Sequence, residues 1–280
     1  MSAQYYKNLA DKGDMDAMFN YALMLEEGDV VKQNKEEASK YYKKSADLGN
    51  VQSMFNYGLM IYRGDINDTD RQKAASYFKK AADSGHDKAM FIYGLMLDQG
   101  DGIDADKTSA AHYYKLAADS GYKDAVINYA IMADNGEGIP VNKKDAAHYY
   151  KIAADNGEVY AMYNLGVILD NGDGVEPDKK QAVRYYKMAA EKGHEKAMYN
   201  LAVSYDQGDG VPMNKREAAN YYKMAADNGY IKAMHNYALM LQTGEGVSVN
   251  KKEANRYLEM EKKAINAKEE KTKSKCCYLI

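Results

Sequence analysis

Cysteine and histidine are the residues of this sequence whose side chains could support covalent or metal chemistry. Only two cysteines occur, Cys276 and Cys277, and they are adjacent. Two neighbouring thiols cannot build a disulfide framework and are too few for a thiolate zinc site. His112 and His148 are 36 residues apart, but no cysteine or third histidine stands at a ligand spacing from them. We therefore expect no catalytic residue, no bound metal and no cofactor.

The thiol of Cys277 begins the sequence Cys-Tyr-Leu-Ile, which has the C-a-a-X form that directs prenylation of the cysteine. A basic run at 271–275 precedes it, and Cys276 could accept a second lipid. One lipid anchors a protein only marginally, and basic residues near an anionic leaflet supply the second signal. We expect lipidation at Cys277, with Cys276 as a further site, and a peripheral position on a cytoplasmic membrane face. The alternative is an unmodified C-terminus and a soluble protein.

Charge and hydropathy exclude other partners and locations. The 38 basic and 41 acidic residues leave a net charge of −3, and the mean hydropathy is −0.67. Non-specific nucleic-acid binding needs a concentrated positive field, so no nucleic acid is expected as a partner. The sequence has neither an apolar leader nor a run of about 18 apolar residues. We expect a cytoplasmic protein that is not secreted.

A period of 36 residues organises the elements that carry all these side chains. The Tyr-Tyr pair at Tyr149 recurs in register at Tyr113 and Tyr185, and the same step continues toward both ends of the sequence. Such a period indicates a repeat array of two-helix units, here called helix A and helix B. The expected organisation is a capping helix at 1–14, seven repeats over 15–264 and a basic, flexible tail at 265–280. The repeats are expected at 15–50, 51–86, 87–122, 123–158, 159–194, 195–230 and 231–264.

Local signals within each repeat agree with the period. Helix A carries a small residue at the position of Gly166, where two helices can approach closely, and ends at a glycine such as Gly172. Helix B is preceded by a residue that caps helices well. These N-cap residues are Asn34, Asp70, Asp106, Asn142, Asp178, Asn214 and Asn250.

The run at 161–175, followed by Lys180, Ala182, the Tyr185-Tyr186 pair and Gly193, resembles the Sel1-like repeat. The resemblance implies an all-α, right-handed α/α superhelix related to tetratricopeptide arrays, serving as a protein-binding adaptor. Two departures occur: tyrosine replaces the tryptophan common at the first aromatic of helix B, and Val30 and Ile66 stand where later loops have a second glycine. We expect the fold to tolerate both, with the first two loops shaped differently.

Members of this family suggest particular functions. Fungal chitin-synthase activators combine Sel1-like repeats with a C-a-a-X end, which implies regulation of a membrane enzyme. Some cysteine-rich bacterial relatives have been described as binding or hydrolysing β-lactams, but their paired cysteines are absent here. A non-catalytic, membrane-tethered adaptor is therefore the main expectation, a soluble adaptor is the alternative, and a hydrolase is the least favoured reading.

Two ladders of side chains on helix A are the candidate groove for a peptide or protein partner. In arrays of this kind helix A lines the concave surface, and its apolar residues extend beyond one face. An asparagine amide can both donate to and accept from a peptide backbone. The alternative is that both ladders pack between repeats. The candidate residues are Phe19, Asn20, Phe55, Asn56, Phe91, Asn128, Tyr163, Asn164, Tyr199, Asn200 and Asn236.

Overall fold

The computed structural model describes residues 2–277, and side chains over 2–270. The described residues form fifteen α-helices and no strand. The helices are α1 (Ala3–Ala10), α2 (Met15–Glu27), α3 (Lys35–Asp47), α4 (Val51–Arg63), α5 (Arg71–Asp83), α6 (Asp87–Gln99), α7 (Lys107–Asp119), α8 (Lys123–Asn135), α9 (Lys143–Asp155), α10 (Val159–Asn171), α11 (Lys179–Glu191), α12 (Glu195–Gln207), α13 (Lys215–Asp227), α14 (Ile231–Thr243) and α15 (Lys251–Cys277). The all-α expectation is confirmed: even-numbered helices are helix A of each repeat, and odd-numbered helices are helix B.

The helix boundaries follow from capping side chains and glycines. Asn34 accepts a hydrogen bond from the backbone N–H of Glu37, and Asp178 accepts one from Gln181, so each satisfies a donor of the first turn. Helix α10 ends at Gly172, whose φ of 74° is the left-handed conformation that glycine adopts without strain. The B helices end differently: in α7 the cap is Ser120, with a φ of −82°, and the glycine with a positive φ, Gly121 at 90°, follows it.

The chain divides into two compact units, Met1–Asn142 and Lys143–Ile280, which are described separately. In the first unit each helix from α1 to α8 packs on the next, and in the second each helix from α9 to α15 does so. The largest fully buried side chains are aromatic residues of the B helices, at the second position of the Tyr-Tyr pair or, in α15, the first. Burying each such ring contributes about 1.5–3 kcal/mol. They are Tyr42, Phe78 and Tyr114 in the first unit and Tyr150, Tyr186 and Tyr257 in the second.

Close approach of helices explains the small residue on helix A. A Cβ atom at Gly166 would lie 2.7 Å from Cε1 of Tyr186, so the tyrosine ring occupies the space that a side chain would need. At Gly58 the corresponding distance to Cε1 of Phe78 is 3.2 Å. The small residue therefore leaves the space into which the buried B-helix ring of the same repeat packs.

The first two loops differ from the later ones, as the sequence predicted. Gly174 has a φ of 71° and lies against the start of α9. A Cβ atom at this position would lie only 2.8 Å from Cβ of Lys143. Val30 and Ile66 occupy the equivalent places, and no described residue other than glycine has a positive φ. Val30 is exposed and Ile66 is buried, so each of these loops takes its own path.

The backbone of 265–277, in the segment for which the sequence predicted a basic, flexible tail, continues α15 as helix to Cys277. The segment contains no glycine or proline, and its alanine, lysine and glutamate residues have high helix propensity. Tyr278–Ile280, the last three residues of the C-a-a-X sequence, lie outside the described residues. No described helix is both long and apolar enough to span a bilayer.

Candidate functional site

The aromatic ladder on helix A packs against the buried rings of helix B. Phe55 is buried, whereas Phe19, Phe91, Tyr163 and Tyr199 are half-buried. The centroid of each ring lies 5.7–6.3 Å from the centroid of the buried aromatic ring of its own repeat. The centroid distances are 6.0 Å for Phe19–Tyr42, 5.8 Å for Phe55–Phe78, 5.9 Å for Phe91–Tyr114, 6.3 Å for Tyr163–Tyr186 and 5.7 Å for Tyr199–Tyr222.

Four ladder rings also contact the residue that precedes helix A of the next repeat. Tyr163 stacks on His194 with centroids 4.6 Å apart, and Phe55 stacks on His86 at 4.4 Å. The other two contacts, both at 5.0 Å, are Phe91–Tyr122 and Tyr199–Tyr230. The aromatic ladder thus joins adjacent repeats and also leaves part of each half-buried ring accessible.

All six asparagines of the ladder are half-buried, and two of them bond within their own helix. Nδ2 of Asn20 donates to the backbone oxygen of Asp16 at 2.8 Å, and Nδ2 of Asn164 donates to that of Tyr160 at 3.0 Å. The other four face a buried tyrosine hydroxyl of the preceding repeat. These pairs are Asn56–Tyr42, Asn128–Tyr114, Asn200–Tyr186 and Asn236–Tyr222.

A carboxylate of the tyrosine's own repeat faces the same hydroxyl. The Tyr186 hydroxyl donates to Oδ2 of Asp170 at 3.3 Å. Burial raises the pKa of Tyr186, the Asp170 charge raises it further, and Asn200 opposes the rise. The hydroxyl therefore remains a protonated donor at neutral pH. We call this group of three a polar set; other repeats carry the same kinds of residue at the same places, for example Glu26/Tyr42/Asn56, Asp98/Tyr114/Asn128 and Asp206/Tyr222/Asn236. The Tyr42 hydroxyl donates to Oε2 of Glu26 at 2.7 Å, whereas the buried Tyr114 hydroxyl has no hydrogen-bond partner among the described residues.

One repeat junction replaces all three members of the polar set together. Tyr62, Phe78 and Ile92 stand at the places of the acid, the tyrosine and the asparagine. We call this group the apolar set. Sequence reasoning did not connect Ile92, which interrupts the asparagine ladder, with Phe78, which lies 14 residues earlier and lacks the hydroxyl. That constant offset is the signal that would have revealed the pairing.

A cavity of about 410 Å³ opens between α10 and α12 of the second unit. Two predicted ladder residues, Tyr163 and Asn200, line it. Sequence reasoning missed its charged residues, Asp170, Lys179 and Asp209, because they come from three different elements. Its remaining lining residues are Val167, Asn171, Tyr186, Val203, Ser204 and Gln207.

The rim of this cavity is an ion pair between repeats. Nζ of Lys179, the first residue of α11, lies 2.6 Å from Oδ2 of Asp209 in the following loop. The hydrogen bond to Asp209 raises the pKa of Lys179, so the ammonium stays charged. The arrangement offers carboxylates, amides, a hydroxyl and an aromatic ring within one groove, which suits hydrogen bonding to a ligand.

The histidines occupy structural positions. His86 and His194 are half-buried, and Nδ1 of each accepts a hydrogen bond at 3.2 Å from the backbone N–H of Ala89 and Ala197, respectively. His112 and His148 are exposed beside the tyrosines that follow them. Among the described residues, no group of three or more histidine, cysteine or acidic side chains converges as a metal site. Cys276 and Cys277 lie in the last turn of α15, where side chains are not described.

Together the helix pairs, their buried rings and the groove on helix A define a helical-repeat protein of the α/α solenoid class. The Sel1 repeat family model matches the chain seven times, at 16–50, 51–86, 87–122, 123–158, 159–194, 195–230 and 231–260. The chain therefore belongs to the Sel1 repeat family. Proteins of this family are generally non-catalytic scaffolds that bind protein partners.

Solved structures share this fold. A Sel1 repeat protein from Oxalobacter formigenes is 28% identical, with a TM-score of 0.60, and the match covers 94% of this chain and 76% of that one. A protective antigen of uropathogenic Escherichia coli with an SLR fold is 22% identical, with a TM-score of 0.68 over 94% of this chain. The chain spans 56% of the antigen's length. No curated protein sequence matched the chain.

Proposed function

We propose that this protein is a non-catalytic adaptor that binds an extended segment of a partner protein on helix A. The observation that carries the proposal is the cavity of about 410 Å³ between α10 and α12, because it is lined by Tyr163 and Asn200 of the two ladders. Its volume falls in the range of about 300–1,000 Å³ that is usual for ligand sites. The general role of Sel1 repeats as protein-binding scaffolds supports a protein partner.

The chemistry of the lining fits a peptide segment. Asn171 and Gln207 are exposed amides at the cavity, and each can both donate to and accept from a peptide backbone. Val167 and Val203 add apolar surface, and Tyr163 adds a half-buried ring. Aromatic rings provide large contact area at low cost in side-chain entropy, which favours them at binding surfaces.

A cavity-filling variant tests the adaptor proposal. Val203→Trp places an indole in the groove, and Val183→Trp is its control, because Val183 is also half-buried but lies on α11 outside the cavity lining. The probe is a random dodecapeptide library displayed on phage. We expect the parent protein and Val183→Trp to enrich a common peptide motif and Val203→Trp to lose it. Absence of enrichment by the parent, or equal enrichment by Val203→Trp, would contradict the proposal.

The second part of the proposal is a lipid tether at the C-terminal sequence. Its support is the Cys277-Tyr-Leu-Ile sequence behind the basic run at 271–275, with Cys276 as a further acceptor. The mass of the C-terminal peptide isolated from the native host measures the modification directly, because a prenyl thioether adds a defined mass and removes the last three residues. An unmodified peptide ending in Ile280 would leave a soluble adaptor.

With the tether in place, the partner is a membrane enzyme that the adaptor regulates at a cytoplasmic membrane face, as fungal chitin-synthase activators do. Co-fractionation of the parent and the Cys277→Ser protein with membranes tests this form of the proposal. We expect the parent to sediment with membranes and Cys277→Ser to remain soluble. Identical fractionation of the two proteins would contradict it.

A further inference from the structure

The charged side chains that line the cavity between α10 and α12 sum to one negative charge. The lining contains two carboxylates, Asp170 and Asp209, and one ammonium group, that of Lys179. Lys179 lies 2.6 Å from Asp209. The one hydrogen bond that Asp170 receives among the described side chains is the long one from Tyr186, at 3.3 Å.

The equivalent carboxylates of two other repeats are neutralised by a lysine nine residues further on. Nζ of Lys215 lies 2.7 Å from Asp206 and also reaches Glu245 at 3.2 Å. Lys107 pairs with Asp98 in the same way. Lys179, like Lys35 in the first repeat, pairs instead with the acid of the next loop, so its ammonium lies on Asp209 while the charge of Asp170 acts on it from further away.

In the first unit an arginine, Arg71, stands at the place of Lys179. At the apolar set, the guanidinium of Arg71 lies 3.9 Å over the ring of Tyr62, and its Nη1 is 3.3 Å from Oδ2 of Asp101. The chain itself therefore places a guanidinium between an aromatic ring and a carboxylate. Guanidinium groups are well suited to such places, since they are planar, always charged and carry five donors.

We propose that the cavity between α10 and α12 binds an arginine side chain of the partner segment. The guanidinium pairs with the carboxylate of Asp170. Two other lining residues complete its contacts: the side-chain oxygen of Asn200 accepts a further hydrogen bond, and the ring of Tyr163 packs on the face of the guanidinium. Lysine fits less well, because a point charge with three donors cannot serve a carboxylate, an amide and a ring together. The inference rests on the adaptor function proposed above and names the chemistry of its ligand.

The test uses the peptides selected by the parent protein, each synthesised with arginine and with citrulline, which has the same shape but no charge. Fluorescence anisotropy gives the Kd of each form for the parent, for Asp170→Asn and for Asp206→Asn. The last variant is the matched control, because Asp206 is the equivalent acid already paired with Lys215. Thermal melting checks that all three proteins fold; asparagine preserves the acceptor for Tyr186.

We expect the library to enrich arginine at one position and citrulline there to weaken binding to the parent by about tenfold or more, as for a lost charge-assisted hydrogen bond. The weakening should fall to less than about twofold on Asp170→Asn and persist on Asp206→Asn. Peptides that bind without an arginine preference, or a preference that survives Asp170→Asn, would overturn the arginine site while leaving the adaptor function intact. Failure to select any peptide would overturn both.

Discussion

The junction between α4 and α6 in the first unit and the one between α10 and α12 in the second have the same backbone plan but different contents. The first carries the apolar set, in which Tyr62 and Phe78 lie with ring centroids 6.0 Å apart and Arg71 covers Tyr62. The second carries a polar set and opens into a cavity of about 410 Å³. In the first junction side chains of the chain itself cover the groove on helix A, whereas in the second the groove is open to a ligand.

The largest expected effect on stability comes from placing a single residue of the polar set into the apolar set. Phe78→Tyr places a hydroxyl at a fully buried position that lacks the acid and the amide of the polar set, and Ile92→Asn places an amide at a half-buried position that lacks the tyrosine hydroxyl. Each should lower the free energy of unfolding by about 1–3 kcal/mol. The double variant should cost less than the sum of the two, because the hydroxyl and the amide then face each other. Urea unfolding of the four proteins measures this coupling, and strictly additive losses would show that the set is not a unit.

Substitution of the glycine against which the buried ring packs should have the next largest effect on stability. Alanine gains about 0.5–1 kcal/mol over glycine in a helix interior, whereas overpacking costs about 1–3 kcal/mol. Because a Cβ at Gly166 would lie 2.7 Å from Tyr186 and one at Gly58 3.2 Å from Phe78, Gly166→Ala should destabilise by about 1 kcal/mol and Gly58→Ala should be neutral or stabilising. Melting temperatures of the two variants provide the measurement. A larger loss of stability for Gly58→Ala than for Gly166→Ala would contradict the packing of the buried ring against this glycine.

The histidine caps of both units predict a loss of stability in acid. Burial lowers the pKa of His86, with Asp87 opposing and Lys88 assisting, and burial lowers that of His194, with Glu195 opposing and Lys196 assisting. The unfolded chain, with a histidine pKa of about 6.5, then binds protons more readily than the folded one. Stability should be full above this pH and fall as the pH drops below it, since a protonated Nδ1 cannot accept from the helix backbone.

The loss should amount to about 1 kcal/mol for each cap. Melting temperatures between pH 7.5 and pH 5 test it against the double variant His86→Asn/His194→Asn, in which asparagine keeps the cap without titrating. The variant should show a shallower fall than the parent. Parallel curves would assign the acid sensitivity to other groups.

The smallest expected effects concern the cations at the two junctions. Arg71→Met removes the contact with Tyr62 and should cost about 0.5–1 kcal/mol. Lys179→Met removes only an exposed pair with Asp209, and such pairs stabilise little. We therefore expect a measurable change in the urea midpoint for Arg71→Met and none for Lys179→Met. Equal losses would mean that the guanidinium does not close the first junction.

The fold follows from the sequence because its signals are local and repeated. The 36-residue period, the N-cap residues such as Asn34 and Asp178, and glycines such as Gly172 each act within one turn or loop. The basic charge of the tail suggested a flexible segment, whereas the helix propensity of 265–277 continues α15 to Cys277. A basic composition and a helical backbone are compatible when no glycine or proline interrupts the segment.

The candidate site was only partly predictable, because its members meet across repeats. Tyr163 and Asn200 were recognised by their regular spacing on helix A. Asp170 meets Tyr186 across 16 residues, and Asn200 meets it across a further 14, distances that no local pattern encodes. That Lys179 turns toward Asp209 and away from Asp170 depends on side-chain geometry, and the equivalent Lys215 reaches its acid with the same sequence spacing.

Photo-crosslinking at the cavity tests the central claim most directly. A benzoylphenylalanine at Gln207 lies on the cavity lining, and one at Gln181 is its control, since both glutamines are exposed but Gln181 lies on α11 outside the lining. In cells that make the protein, we predict adducts from Gln207 that map to one segment of a partner and that the selected peptide displaces. Adducts from Gln181 alone, or equal adducts from both positions that the peptide does not displace, would contradict binding between α10 and α12.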